Sequence, residues 1–114
     1  MKLIIAIFKA EKLDEVREAL TGKEITRMTL SRVSGHGRAR HRTGLFRGRE
    51  VDIPLMPKIR MEIACNDEFK DEIVSLILHS ARTEGDSPGD GKIFVLPLEE
   101  CIRIRTGETG EEAI

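Results

Sequence analysis

Apolar residues run without a break from Leu3 to Phe8, a stretch of strand length that suits a central strand covered on both faces. The period then changes. Leu13, Val16, Ala19 and Leu20 recur at helical spacing with Asp14, Glu15, Arg17 and Glu18 between them, which predicts an amphipathic helix that Gly22 can end. Ile25 to Val33 returns to strand character, with Met28 and Leu30 on one face and Thr29 and Ser31 on the other. Lys58 to Ile63 alternates cleanly, sending Ile59, Met61 and Ile63 to the core and Lys58, Arg60 and Glu62 away from it. A second amphipathic helix is predicted from Glu68 to about Arg82, built on Phe69, Ile73, Leu76, Ile77 and Ala81 with Asp67 as its N-cap. After the loop Thr83 to Gly91, Ile93 to Leu96 forms a short strand and Cys101 to Arg105 the last one. The order is βαββαβ with an extra short strand, an α+β ferredoxin-like sandwich in which an antiparallel sheet carries both helices on one face. Its other face mixes Arg, Lys, Thr and Ser with apolar residues, so other subunits of a cyclic oligomer are expected to cover it in part.

One segment has no period. Residues 36–57 hold Gly37, Gly44, Gly48, Pro54 and Pro57, and from Arg38 to Arg49 they carry five arginines and no acid. A loop of this length inside a compact domain is usually functional or disordered, and its arginines point to an acidic partner.

At 114 residues the chain, residues 1–114, supports one domain. A charged fraction of 34% with a formal net charge of -1 gives no global pull toward nucleic acid or membrane, so any electrostatic partner has to be found in local clusters. The chain has no Trp or Tyr and four Phe, too few rings for the stacking platform of a single-strand nucleic-acid reader. Cys65 and Cys101 lack CxxC spacing and suit small core residues in a reducing, cytoplasmic setting. The first apolar run is too short to span a membrane, and no membrane insertion is expected.

No spacing matches a catalytic centre. His36, His41 and His79 are scattered, no Ser or Thr has His and an acid at nucleophile spacing, and the chain has neither a GxxxxGK[ST] loop nor GxGxxG before a helix. The pattern that stands out is cationic. On a strand from Cys101 to Arg105, Arg103 and Arg105 share a face, and two unpaired guanidiniums side by side call for an anion. Upstream, Gly89-Asp90-Gly91-Lys92 is a turn able to bring backbone N–H groups to an oxyanion and ends in a cation. Together they form a candidate phosphate cradle; a solvated outer face with a tight turn accounts for the same residues.

Gly89-Asp90-Gly91-Lys92-Ile93-Phe94-Val95 followed by Ile102-Arg103-Ile104-Arg105-Thr106-Gly107-Glu108 resembles the two nucleotide-binding signatures of the PII signal-transduction family, the nitrogen regulators. The resemblance extends along the chain through Met1-Lys2-Leu3-Ile4, Leu13 to Leu20, Met28-Thr29, Gly35-His36-Gly37-Arg38, Leu45-Phe46-Arg47-Gly48, Pro57-Lys58-Ile59 and Ala81-Arg82-Thr83. It implies a ferredoxin-like homotrimer with ATP or ADP in three clefts between subunits. Gly89, Asp90, Gly91 and Lys92 would wrap the phosphates, and Arg103 and Arg105 would reach them from the adjacent subunit. Thr29 and Glu62 would lie by the adenine and ribose, beside the Gly35 and Gly37 of the glycine motif, and Arg38 would meet the terminal phosphate. Residues 36–57 would be the partner-docking loop, residues 83–92 the phosphate loop and residues 103–114 the C-terminal loop. Lys58 matches the lysine that pairs with the 2-oxoglutarate carboxylate, and Arg47 the loop-tip arginine that plugs an ammonium-transporter pore. Such a protein is a regulator of a transporter or a nitrogen-metabolism enzyme, not an enzyme itself.

The departures redirect part of this. A loop glutamine that helps hold magnesium and 2-oxoglutarate is Ala39 here, which offers a hard cation no oxygen. The tyrosine that some members have uridylylated is Val51, and the chain has no Tyr, so that modification is excluded. Thr83 to Pro88 makes the phosphate loop about two residues longer than the family pattern, and Glu84 and Asp86 would repel a triphosphate or recruit a cation, which moves the expected preference toward ADP or AMP. Arg40, Arg42 and Arg49 join Arg38 and Arg47 in the long loop, which calls for an acidic partner. Three functions follow: a nucleotide-sensing PII regulator; a divergent PII-like sensor of ADP or AMP whose second effector is another small anion such as bicarbonate; and, ranked last, a basic-loop module for nucleic acid or an acidic surface, which would show strong salt dependence.

Overall fold

The computed structural model describes residues 1–36, 55–85 and 89–114, with the backbone alone of 45–46 and 49–50. In chain order its elements are β1 (Lys2–Lys9), a 3₁₀ turn (Ala10–Lys12), α1 (Leu13–Thr21), β2 (Thr29–Gly35), β3 (Leu45–Phe46), β4 (Arg49–Glu50), β5 (Met56–Cys65), α2 (Asp67–Ala81), β6 (Gly91–Pro97) and a 3₁₀ turn at Gly110–Ala113. Gly37, Arg38, Ala39, Arg40, Arg42, Arg47, Val51, Asp86, Ser87 and Pro88 lie outside the described residues. Arg49 is placed by its backbone, paired with Phe46 in the two-stranded β3–β4 ladder.

The main sheet has four antiparallel-paired strands in the order β2-β5-β1-β6. Because β5 runs antiparallel to both β1 and β2, those two strands are parallel with β5 between them, the split βαβ arrangement of the expected ferredoxin-like fold. The register explains the core. Ile4 faces Ile63, Ala6 faces Met61 and Phe8 faces Ile59, so three successive cross-strand pairs put all their buried side chains on one face. Val16 and Leu20 of α1 and Ile73, Ile77 and Ala81 of α2 close over that face. Full burial of each of the larger members contributes about 1.5–3 kcal/mol.

Several sequence expectations are corrected. β1 was expected to be covered on both faces, but Leu3, Ile5 and Ile7 are only half-buried, because both helices spend their apolar stripes on the opposite side. Beside those three residues on β6 stand Leu96, Phe94 and Lys92, and Phe94 and Leu96 are 46% and 41% exposed. This second face is an apolar stripe that no other described residue covers. β2 begins at Thr29 rather than Ile25, since residues 25–28 turn out of α1, with Ile25 N–H bonded to the Leu20 carbonyl. β5 begins at Met56, paired with Gly35, so Pro57 belongs to a strand. Pro57 is tolerated there because the β1 ladder stops at Lys58, leaving β5 with a neighbour on one side only. Gly22 ends α1 in a helical conformation, and the left-handed residue is Glu24 at φ 62°. Asn66, not Asp67, occupies the N-cap of α2; Asp67 instead pairs with the N-terminal ammonium at 2.9 Å. Phe69, expected in the core, is 47% exposed.

The largest correction concerns Cys101 to Arg105, which is not a strand. Ile102 forms an isolated bridge with Thr109, the Arg103 N–H donates to the Glu108 carbonyl at 2.9 Å, and the Gly107 N–H donates to the Arg103 carbonyl at 2.7 Å. Residues 103–108 close into a turn, with Gly107 at φ 75° and Gly110 at φ 79°. Alternation over five residues looked like a strand, but a strand needs a ladder partner, and the Thr-Gly-Glu-Thr-Gly that follows folds the segment on itself. Ile104 is fully exposed, so its apolar side chain finds no core in this chain.

Candidate anion-binding site

The glycine turn forms where α2 ends and β6 begins. Gly91 opens β6 opposite Phe8 at φ 114°, and a Cβ placed on it would sit 1.7 Å from the Ile7 carbonyl oxygen. Only glycine fits. Asp90 is engaged within the chain itself. Its carboxylate accepts hydrogen bonds from the Thr83 N–H at 3.1 Å and hydroxyl at 2.7 Å and pairs with the Lys9 ammonium at 3.4 Å. Asp90 is thus a brace that ties the end of α2 and the end of β1 to the turn. Burial pushes its carboxyl upward, but the Thr83 hydrogen bonds and Lys9 outweigh burial and hold it below the ordinary value.

Two lysines stand beside this turn. Lys58 and Lys9 are register partners on β5 and β1, and the Lys58 ammonium donates to the Gly89 carbonyl. Burial, and then the charge of Lys9, lower the Lys58 pKa against the opposing pull of Asp90 and Glu11. Gly35 makes room for Lys58: a Cβ at Gly35 would lie 2.9 Å from the Lys58 Cγ. Gly35, expected beside the nucleotide, therefore has a structural task in seating that lysine. Lys92 lies opposite Ile7 on the uncovered face. Farther along that face Thr29 and Glu62 are cross-strand partners, and Glu62 accepts a hydrogen bond from Arg60 Nε at 3.0 Å.

The arginines are elsewhere. Arg103 bonds to the Glu112 carbonyl at 3.2 Å, and Asn66 bonds to the Glu111 carbonyl at 3.4 Å, which fixes this tail at the end of β5 where Cys65 faces Lys2. The glycine turn is at the other end. β6 runs from Gly91 opposite Phe8 to Pro97 opposite Lys2, and its six steps of about 3.3 Å separate the two ends by about 20 Å. Within one chain, then, the structure gathers Lys9, Lys58, Asp90, Gly91 and Lys92 at one end and leaves Arg103 and Arg105 at the other. The cavity beside the turn, lined by Phe8, Ala81, Arg82, Asp90 and Gly91 among others, has a volume of about 230 Å³. Pockets for small molecules usually run from about 300 to 1,000 Å³, so this one is too small to enclose a nucleotide by itself.

Arg103 is also not an unpaired cation, as its neighbour-repulsion argument assumed. Its Nη1 lies 3.5 Å from Glu108 Oε2. Sequence reasoning missed Lys9 and Thr83 as parts of the site. Lys9 was legible only as the polar end of an apolar strand, and the bond from Thr83 to Asp90 crosses a loop that no periodicity describes. Among the described residues no cluster of three or more His, Cys, Asp or Glu side chains is placed to hold a metal, and Cys65 and Cys101 are free.

The fold and these groups define a ferredoxin-like domain with basic side chains grouped at each end of one sheet. Residues 1–108 match the family described as nitrogen regulatory protein P-II. The chain is 48% identical over 114 residues to the nitrogen regulatory protein P-II of Pasteurella multocida and 46% identical to that of Rhizobium etli, covering all of each. It is also 46% identical to nitrogen regulatory protein GlnK1 of Methanosarcina mazei, covering 97% of that protein. The chain belongs to the P-II family of nitrogen regulatory signal-transduction proteins. No helix among the described residues is long and apolar enough to cross a membrane.

Proposed function

We propose that this protein is an adenine-nucleotide-sensing regulator that works in the cytoplasm as a homotrimer and acts on a partner through the segment between β2 and β5. The partner is an ammonium transporter or a nitrogen-metabolism enzyme or regulator, and this chain performs no catalysis of its own. The observation that carries the reading is the separation of the two half-sites by about 20 Å, because a single nucleotide can meet both only across a seam between subunits. The uncovered stripe of Leu3, Ile5, Ile7, Phe94 and Leu96 supplies the apolar surface for that seam. ATP or ADP would lie with its phosphates between Gly89, Gly91 and Lys92 of one subunit and Arg103 and Arg105 of the next. Thr29 and Glu62 would face the adenosine, with Gly37 and Arg38 closing the site. Arg40, Arg42, Arg47 and Arg49 would carry the contact with an acidic partner. Calorimetry with ATP, ADP and AMP tests the assignment: binding is expected and weakens on Arg103→Ala, whereas no heat with any of the three refutes it.

Ala39 favours a second reading of the effector. With no side-chain oxygen at that position, Lys58 and Lys9 are left to recruit a small anion by charge alone, such as bicarbonate, alongside ADP or AMP. Tight uptake of 2-oxoglutarate in the presence of magnesium and ATP would exclude this.

A further inference from the structure

Arg103 has two partners of different kinds. Nη2 donates to the backbone carbonyl of Glu112 at 3.2 Å, and Nη1 is 3.5 Å from the carboxylate of Glu108. The first partner is fixed. Asn66 bonds to the Glu111 carbonyl, Arg27 bonds to the Ile114 carbonyl oxygen at 2.7 Å, and Ala113 is buried, so the tail that offers Glu112 is held at three points. The second is looser, because the Glu108 side chain is 45% exposed and its carboxylate stands 3.5 Å from Nη1. Glu108 is nevertheless aimed by the backbone: its carbonyl accepts from the Arg103 N–H, its N–H donates to the Thr106 hydroxyl at 3.2 Å, and Gly107 turns the chain between them.

We propose that Glu108 is an internal stand-in for phosphate that occupies the Arg103 guanidinium until nucleotide displaces it. The inference rests on the nucleotide assignment above. A carboxylate and a phosphate use the same planar donor fork, so the two anions compete for Nη1 while the Glu112 carbonyl keeps the guanidinium in place. The device sets the affinity of the seam and makes it depend on how much negative charge the ligand brings. It also couples binding to the tail, since release of Glu108 breaks the charge pair between Arg103 and Glu108 across the 103–108 turn.

The test is calorimetric titration of ATP and ADP into the full-length protein and its Glu108→Gln variant, with Arg103→Ala and the double variant completing the cycle. An exposed ion pair of this kind is weak, so Glu108→Gln is expected to tighten nucleotide binding by about 1.5- to fivefold. In the Arg103→Ala background the same change is expected to make no difference. Unchanged or weaker binding by Glu108→Gln would overturn the inference, since a carboxylate that orients Arg103 for the ligand must lower affinity when neutralised. Thermal melting of each variant, with Glu108→Ala as a second replacement, separates loss of the competitor from loss of the turn. If the unaltered protein binds neither nucleotide, the assignment of the site fails, and this inference with it; if it binds and only the Glu108 variants behave as unaltered, the inference alone fails.

Discussion

The proposed division of the site between subunits makes a quantitative prediction about mixed oligomers. Lys92→Ala removes a cation from the glycine turn, and Arg103→Ala removes one from the tail about 20 Å away at the other end of β6. Each lost charge-assisted hydrogen bond costs about 1.5–3 kcal/mol, so each variant alone should bind nucleotide about 10- to 150-fold more weakly. If a single chain supplied both groups, mixing the two proteins would leave every site defective. If the site spans a seam, a seam regains both groups whenever the turn comes from the Arg103→Ala chain and the tail from the Lys92→Ala chain. Random reassembly of equal amounts then restores about a quarter of the sites. The assay is co-refolding of the two variants from denaturant, followed by calorimetry with ATP and ADP, with each variant refolded alone as control. A high-affinity component of near one quarter stoichiometry is expected. Its absence from a mixture shown by mass spectrometry to contain hetero-oligomers would refute the division of the site.

Other consequences are simpler to check. Gly91→Ala forces a methyl group to within 1.7 Å of the Ile7 carbonyl at a positive φ, and should destabilise the protein by more than about 3 kcal/mol in denaturant titration. Met61→Ala or Ile77→Ala opens a cavity at a residue with essentially no exposure and should cost about 2–5 kcal/mol. Asp90 has a folded-state pKa below its unfolded value, so its contribution is fully present above the unfolded pKa of about 4 and is lost as pH falls through the folded value. The melting temperature of the unaltered protein should therefore fall more steeply than that of Asp90→Asn below about pH 4, and parallel curves would show that the brace carries no stability.

How much could be read in advance depends on the range over which each signal acts. β5 was legible because one buried and one open face impose a strict two-residue period, and Ile59, Met61 and Ile63 obey it. The two helices were legible for the corresponding reason at 3.6 residues, although Phe69 shows that an apolar residue in phase with a stripe can still lie beyond its edge. The candidate site was legible as residue types and not as geometry. Gly91 and Lys92 were found from their order along the chain, but the task of Asp90 depends on Thr83, in the loop after α2, and Lys9, at the end of β1. The tail was misread because Ile102 and Ile104 alternate with arginines as a strand does. What distinguishes a turn there is the absence of a ladder partner, which is a property of the sheet and not of the five residues.

The positions of Lys58 and Gly35 bear on how an effector would reach the segment proposed to bind the partner. That segment leaves the sheet after Gly35 and returns at Met56, and these two residues are themselves ladder partners. Lys58 is two residues inside the return, packs over the space that Gly35 leaves open, and donates to the Gly89 carbonyl of the glycine turn. One side chain thus touches the base of the segment and the phosphate side of the proposed nucleotide site. An anion that draws the Lys58 ammonium from Gly89 must change both, because the ammonium cannot satisfy a new carboxylate and the old carbonyl in their original places unless they lie together. On this geometry Lys58→Met should weaken the response of nucleotide affinity to the small anion more than it weakens nucleotide binding itself. The measurement is ATP and ADP affinity with and without bicarbonate or 2-oxoglutarate, and an equal loss in both terms would mean that Lys58 serves the nucleotide alone.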